Sequence, residues 1–122
     1  MKSHKELDLW KDSIDFLMRI YKLTTSFPSI ETYGIVSQIR RAAISLPANI
    51  SEGAARRQTK EFIRYLRIAL GSLSEVETLI IISFRLGYLN SEETSIMTGK
   101  IKKLNAQLSG LISSISTNTQ KT

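Results

Sequence analysis

Residues 62–84 read FIRYLRIALGSLSEVETLIIISF, and in that stretch Phe62, Leu66, Ala69, Leu73, Val76, Ile80 and Phe84 recur at steps of three and four. Such spacing gathers apolar side chains along one side of a helix, which turns once every 3.6 residues. A strand needs alternation by two, and no segment of comparable length shows it. The same periodicity returns three more times. It runs through Leu7, Trp10, Ile14, Leu17, Tyr21 and Thr24, then Ile35, Ile39, Ala42, Leu46 and Ile50, and finally Met97, Ile101, Leu104, Leu108, Leu111 and Ile115.

The breaks between these segments carry helix punctuation. Phe27-Pro28-Ser29 ends the first, because proline disfavours helical geometry in the residue before it. Thr59 is a cap candidate for the third helix. Gly87 suits the left-handed residue that stops a helix. Asn90 and Ser91 are cap candidates for the fourth, and Glu93 completes a capping box with Asn90. Glu92 and Glu93 also favour the positive helix end. Connections this short make neighbours antiparallel. The expected fold is therefore all-α: one up-down-up-down four-helix bundle over residues 1–122, with helices of about 20 to 28 residues and a polar tail fraying from about residue 116. Pro47 lies inside the second pattern, where it lacks an amide proton and crowds the preceding turn. Because Ile50 continues the apolar face, a kink near Ala43–Pro47 is expected rather than a helix end. The polar side chains of Asn49, Ser51 and Glu52 stand ready to satisfy carbonyls freed there.

The chain has 122 residues, 42% hydrophobic and 23% charged, with no cysteine. That suits a single soluble domain and excludes disulfides, thiolate metal sites and a cysteine nucleophile. Absent cysteine fits a reducing cytoplasm. The charged start lacks the apolar stretch of a signal peptide, and the run Leu79-Ile80-Ile81-Ile82 is far too short to span a membrane.

The search for chemistry is short. His4 is the only histidine, so neither a Ser-His nor a Cys-His nucleophile system can be built, and a multi-ligand metal site lacks its donors. Glu75 and Glu77 point to different helix faces, and no Glu-x-x-His pair of the di-iron bundles occurs. There is no phosphate-cradling glycine loop or dinucleotide fingerprint. No cofactor is expected and no enzyme activity. Glu52 is read as half of a structural ion pair, with Arg40 or Arg41 as partner about three turns away. Trp10, Tyr21, Phe62, Phe84 and Tyr88 are assigned to packing, whereas Tyr33 and Tyr65 lie off the apolar stripe and are candidates for an interface.

What remains is charge. The net charge is +6, and it is uneven: residues 56–67 hold five basic groups and one acidic group. Lys60, Arg64 and Arg67 follow the i, i+4, i+7 rule and share one helix face, with Arg56 and Arg57 just before them. A ridge of this kind neutralises phosphates without choosing a sequence. Its bland counterpart is a solvated helix face, with Glu61 and acids from outside the window partly pairing with these cations. Arg40 and Arg41 are weaker candidates, placed to pair with Glu52, line a subunit contact or face a pore.

The stretch Phe27-Pro28, Glu31, Tyr33-Gly34, then Gln38 through Gly53 (Gln38-Ile39-Arg40-Arg41-Ala42-Ala43-Ile44-Ser45-Leu46-Pro47-Ala48-Asn49-Ile50-Ser51-Glu52-Gly53) resembles the four-helix-bundle proteins encoded in intervening sequences of bacterial 23S ribosomal RNA genes. Glu61-Phe62, Leu66, Ile68-Ala69, Gly71-Ser72-Leu73, Glu75, Glu77 and Leu86-Gly87-Tyr88-Leu89 extend the likeness, which covers Leu7 to about Ile115. The resemblance implies a ring-like homopentamer. It also implies kinship with accessory proteins of diversity-generating retroelements, basic pentamers that engage nucleic acid and a reverse transcriptase. Among the shared residues, the small Ala42, Ala43, Ala69, Gly71 and Ser72 allow close approach of another helix, and core packing is favoured over a subunit contact. The functional expectation is a non-enzymatic oligomer binding RNA or DNA through Arg56, Arg57, Lys60, Arg64 and Arg67. A scaffold docking a protein partner such as a polymerase is the alternative.

Overall fold

A computed structural model describes residues 3–121, with side chains to residue 117. It contains four α-helices: α1 (His4–Thr24), α2 (Ile35–Ala55), α3 (Thr59–Arg85) and α4 (Ser91–Lys121), with a short 3-10 turn at Ser29–Glu31. Each helix packs on its neighbours in sequence, and α4 closes back on α1. The described residues are all-α, an antiparallel four-helix bundle. The tightest pairing is α2 with α3 and the sparsest is α1 with α4. At 31 residues, α4 is longer than expected. It runs through the polar segment assigned to a fraying tail as far as Lys121, because no proline or positive-φ glycine stops it there; Thr122 lies outside the described residues.

Termini form where the side chains supply partners for free backbone groups. Ser3 Oγ accepts from the Glu6 amide at 3.1 Å and starts α1. Asn90 Oδ1 accepts from the Glu93 amide at 2.7 Å while Glu93 Oε1 accepts from the Asn90 amide at 2.9 Å, the reciprocal box read from the sequence. At the end of α3, Gly87 takes φ +82°, its amide donates to Phe84 and the Tyr88 amide donates to Ser83. These two bonds are a Schellman closure. Replacing Asn90 with Ala should cost about 1 kcal/mol, read as a lower midpoint in urea denaturation. Thr59 departs from expectation. It is the first residue of α3 rather than its cap, and Gln58 before it makes no side-chain cap bond.

The core follows the expected stripes in α2, α3 and α4: Ile39, Ala42, Leu46, Ile50, Leu66, Ala69, Leu73, Val76, Ile80, Met97, Ile101, Leu104, Leu108 and Leu111 are all buried. In α1 the register is different. Leu9, Ser13, Phe16, Ile20 and Thr24 face inward, whereas Leu7 is exposed and Trp10, Ile14, Leu17 and Tyr21 are only half-buried. Phe84 is also exposed: three residues after the buried Ile80, Ser83 takes the inward position instead.

Pro47 sits buried inside an unbroken α2. Asn49 donates through Nδ2 to the Ser45 carbonyl at 2.8 Å, a carbonyl other than that of Ala43, which is the one the proline leaves without its helical donor. Glu52 does not point inward. It is half exposed and pairs with Arg56 at 2.8 Å, one turn along the same helix, not with Arg40 or Arg41. Gly71 likewise faces solvent, and a Cβ there would meet nothing within 4 Å; it serves no packing within the chain. Ser72 beside it does, forming a hydrogen bond to Ser45 across the α2–α3 seam.

Candidate nucleic-acid interface

The corner where α2 turns into α3 collects most of the predicted cations. Only residues 56–58 join the two helices. Arg56 occupies the C-cap of α2 and Arg57 adopts φ 59°, in the left-handed region that favours glycine. That conformation costs a side-chain-bearing residue about 1 kcal/mol. Arg57→Gly should relieve it, raising thermal stability slightly while removing one cation from the corner; a melting curve and a binding isotherm on the same variant would separate the two effects.

Two arginines of the corner flank one aromatic ring. Arg56 lies 5.4 Å and Arg64 4.6 Å from the centroid of Tyr65, and Arg56 also donates to the Tyr65 hydroxyl at 3.0 Å. Both are paired with acids. Arg56 donates to Glu52 through Nε and Nη2 at 3.1 and 2.8 Å, and Arg64 donates to Glu61 at 3.2 and 3.1 Å. The Glu52 bond holds the Arg56 guanidinium above its already high ordinary pKa, and the Glu61 bond does the same for Arg64. These are exposed pairs, which are weak and screened by salt. They orient the guanidiniums without removing them from solvent.

Arg57, Lys60 and Arg67 are exposed and pair with no carboxylate among the described residues. Lys60, Arg64 and Arg67 share the outer face of α3, as their spacing requires, and all three are exposed. The corner therefore keeps a positive surface after its internal ion pairs are formed.

Arg40 and Arg41 do not belong to it. Fifteen residues of α2 separate Arg41 from Arg56, about 22 Å at the helical rise. Arg40 is committed to holding α1 against α2: Nε donates to Thr24 Oγ1 at 2.9 Å, Nη2 donates to the Tyr21 carbonyl at 3.3 Å, and the guanidinium lies 4.4 Å above the Tyr21 ring. It thereby serves the free carbonyls at the negative end of α1. Arg41 is exposed on the outer side of α2 and has no ion-pair partner among the described residues.

A model of the 23S rRNA-intervening sequence protein family matches residues 5–110, which takes in all of α2 and α3 and the whole basic corner. The chain belongs to that family. Among solved structures, a protein of unknown function from the S23 ribosomal protein family of Bacteroides thetaiotaomicron is 25% identical. The similarity covers 89% of this chain and 98% of that one, with a TM-score of 0.83. No curated protein matches.

For this member of the intervening-sequence family, the contacts that sequence reading missed are those between distant residues. Glu31 links the two connections at one end of the bundle, accepting from the Tyr88 hydroxyl at 2.8 Å and from the Ile35 amide at 3.3 Å. That bond to a carboxylate pushes the Tyr88 pKa up. Phe27, mostly buried, packs against the Tyr88 ring at 5.3 Å. No local pattern announces a pairing between residues 57 positions apart. Tyr33, flagged as an interface candidate, is 95% exposed, and Ile30 beside it is 85% exposed. Among the described residues no group of three or more histidine, cysteine, aspartate or glutamate side chains is arranged to hold a metal, and no helix is long and apolar enough to cross a membrane.

Proposed function

We propose that the protein is a non-enzymatic oligomer of the bacterial cytoplasm that binds the phosphate backbone of RNA or DNA through the α2–α3 corner. The observation that carries this reading is the set of exposed cations Arg57, Lys60 and Arg67, which form no ion pair among the described residues. Arg56 and Arg64 add two guanidiniums whose exposed acid partners a phosphate can displace. Binding of this type is backbone-directed and weakly sequence-specific. Family membership and an S23 ribosomal relative make structured RNA the first ligand to try.

Labelled structured RNA and duplex DNA titrated at low salt provide the test. The double variant Lys60→Glu/Arg67→Glu should bind about 100-fold more weakly, with unchanged helical circular dichroism. Arg64→Glu should cost less, since its guanidinium is already partly neutralised by Glu61. Equal affinity of wild type and the double variant overturns the assignment.

Homo-oligomerisation is the second part of the proposal. Its support is apolar surface that one chain does not cover: the half-buried second stripe of α1, and Ile68, Ile82 and Leu86 on the outer side of α3. Unlike faces on different sides of a protomer make head-to-tail contacts, which close into rings when the rotation allows. Sedimentation at micromolar concentration should show a species larger than a monomer, and a clean monomer contradicts it. A protein-docking role is the second reading. It is favoured by Ile30, Tyr33 and Leu86, exposed at the end opposite the basic corner, and it predicts a partner whose capture survives nuclease.

A further inference from the structure

Each paired arginine of the basic corner meets its acid along the same edge. Arg56 donates through Nε and Nη2, and both bonds end on one oxygen, Glu52 Oε1. Arg64 donates through the same two nitrogens to one oxygen, Glu61 Oε2. That edge of a guanidinium is a fork that takes two oxygens of a phosphate in parallel bonds. Glu52 and Glu61 therefore stand on a position that suits a phosphate.

The two acids are placed to yield. Both pairs are exposed, and exposed pairs contribute little. A single accepting oxygen also forgoes the two-oxygen fork, which a phosphate supplies. Tyr65 holds the arginines from another side. Its hydroxyl accepts from Arg56 Nη2 at 3.0 Å, and the guanidiniums lie 5.4 and 4.6 Å from its ring centre. The guanidiniums thus keep a contact in the corner when a carboxylate lets go. A displaced acid stays on the adjacent turn, however, and repels the incoming phosphate. A backbone already held by Arg57, Lys60 and Arg67 overcomes that repulsion, because tethering raises the local concentration of its further phosphates.

Resting on the phosphate-binding reading, we propose that Glu52 and Glu61 are the affinity-limiting residues of the corner. They are internal carboxylates that occupy the phosphate-binding edges of Arg56 and Arg64. They give these edges up to a backbone anchored on the three unpaired cations.

The test is titration of a labelled RNA stem-loop into the full chain at 0.1 M salt, repeated across a salt series. Glu52→Gln/Glu61→Gln should bind about tenfold tighter, with a log–log slope steeper by about one, since each cation made available adds up to about 0.9. Acids that merely brace the corner would act with the opposite sign, and their loss would weaken binding. Glu75→Gln/Glu77→Gln changes the net charge equally. Glu75 lies eight residues beyond Arg67 on α3, about 12 Å along the axis and past the screening length at that salt. This control should shift affinity by less than about twofold. Glu61→Gln alone, on an exposed pair within α3, stays informative if the double variant fails to fold. A folded Glu52→Gln/Glu61→Gln that binds no tighter than wild type, or a control that gains as much, overturns the proposal. Absence of RNA binding by wild type and variant alike would overturn the phosphate-binding reading as well.

Discussion

Phe16→Ala will lower the unfolding free energy by about 3–5 kcal/mol, the range for truncating a buried aromatic side chain. Phe16 is 2% exposed and belongs to the main core cluster. Domains of this size have only about 5–15 kcal/mol in total, so the variant should sit near the edge of folding at 37 °C. Ile14→Ala is the informative partner. Ile14 lies on the stripe that periodicity selects in α1, yet the structure leaves it half-buried, and its truncation should cost less than half as much. Chemical denaturation of both variants decides between the two registers. A costlier Ile14 would contradict an inward face built from Leu9, Ser13, Phe16 and Ile20.

The reason that register was hidden is specific. Two of the five inward positions of α1 are polar, Ser13 and Thr24. Both are reconciled with burial by bonds inside the helix: Ser13 Oγ donates to the Trp10 carbonyl and Thr24 Oγ1 to the Ile20 carbonyl, each at 2.7 Å. Thr24 also accepts from Arg40. Hydroxyls made to bond within the helix no longer need water; Thr24 was on the stripe read from spacing and is buried, but Ser13 interrupts the apolar pattern of the inward face. Meanwhile Leu7, Trp10, Ile14, Leu17 and Tyr21 form an unbroken stripe roughly 100° around the helix, the angle of one residue step. In α2, α3 and α4 the stripe read from spacing is the one that is buried, although α3 also carries exposed Ile68, Ile81 and Ile82, and the sequence reading of the core holds almost throughout.

Gly53→Val should cost about 2–3 kcal/mol through overpacking. Gly53 is buried in the last turn of α2, and a Cβ there would stand 2.7 Å from Tyr65 Cβ and 3.0 Å from Phe62 Cδ1. The first is the root of a side chain, so the helices must separate to admit it. Ordinarily a glycine-to-alanine change inside a helix gains about 1 kcal/mol from propensity. Gly53→Ala should therefore be less harmful than valine, yet still fail to stabilise. The consequence reaches the basic corner, because Tyr65 is the ring flanked by Arg56 and Arg64. A valine that keeps full stability, measured by thermal melting, would contradict the close approach of α2 and α3.

The candidate site was partly legible for the same local reasons. Lys60, Arg64 and Arg67 lie on one helix, where spacing alone fixes a shared face. Charge counting also located the corner. The pairing of Arg64 with Glu61 was within that reading, but it did not reveal that Arg56 is held by Glu52, although the two stand at the i, i+4 positions that permit this. Arg40 shows the limit. Its partners Tyr21 and Thr24 lie on another helix, and only the packing of α1 on α2 brings them together.

The salt dependence of RNA affinity tests the phosphate-binding account most directly. Three unpaired cations and two weakly paired ones predict a log–log slope of about −3 or steeper per protomer, and Lys60→Glu/Arg67→Glu should flatten it by about two. An affinity that does not change between low and physiological salt, or a slope untouched by that double substitution, would contradict it.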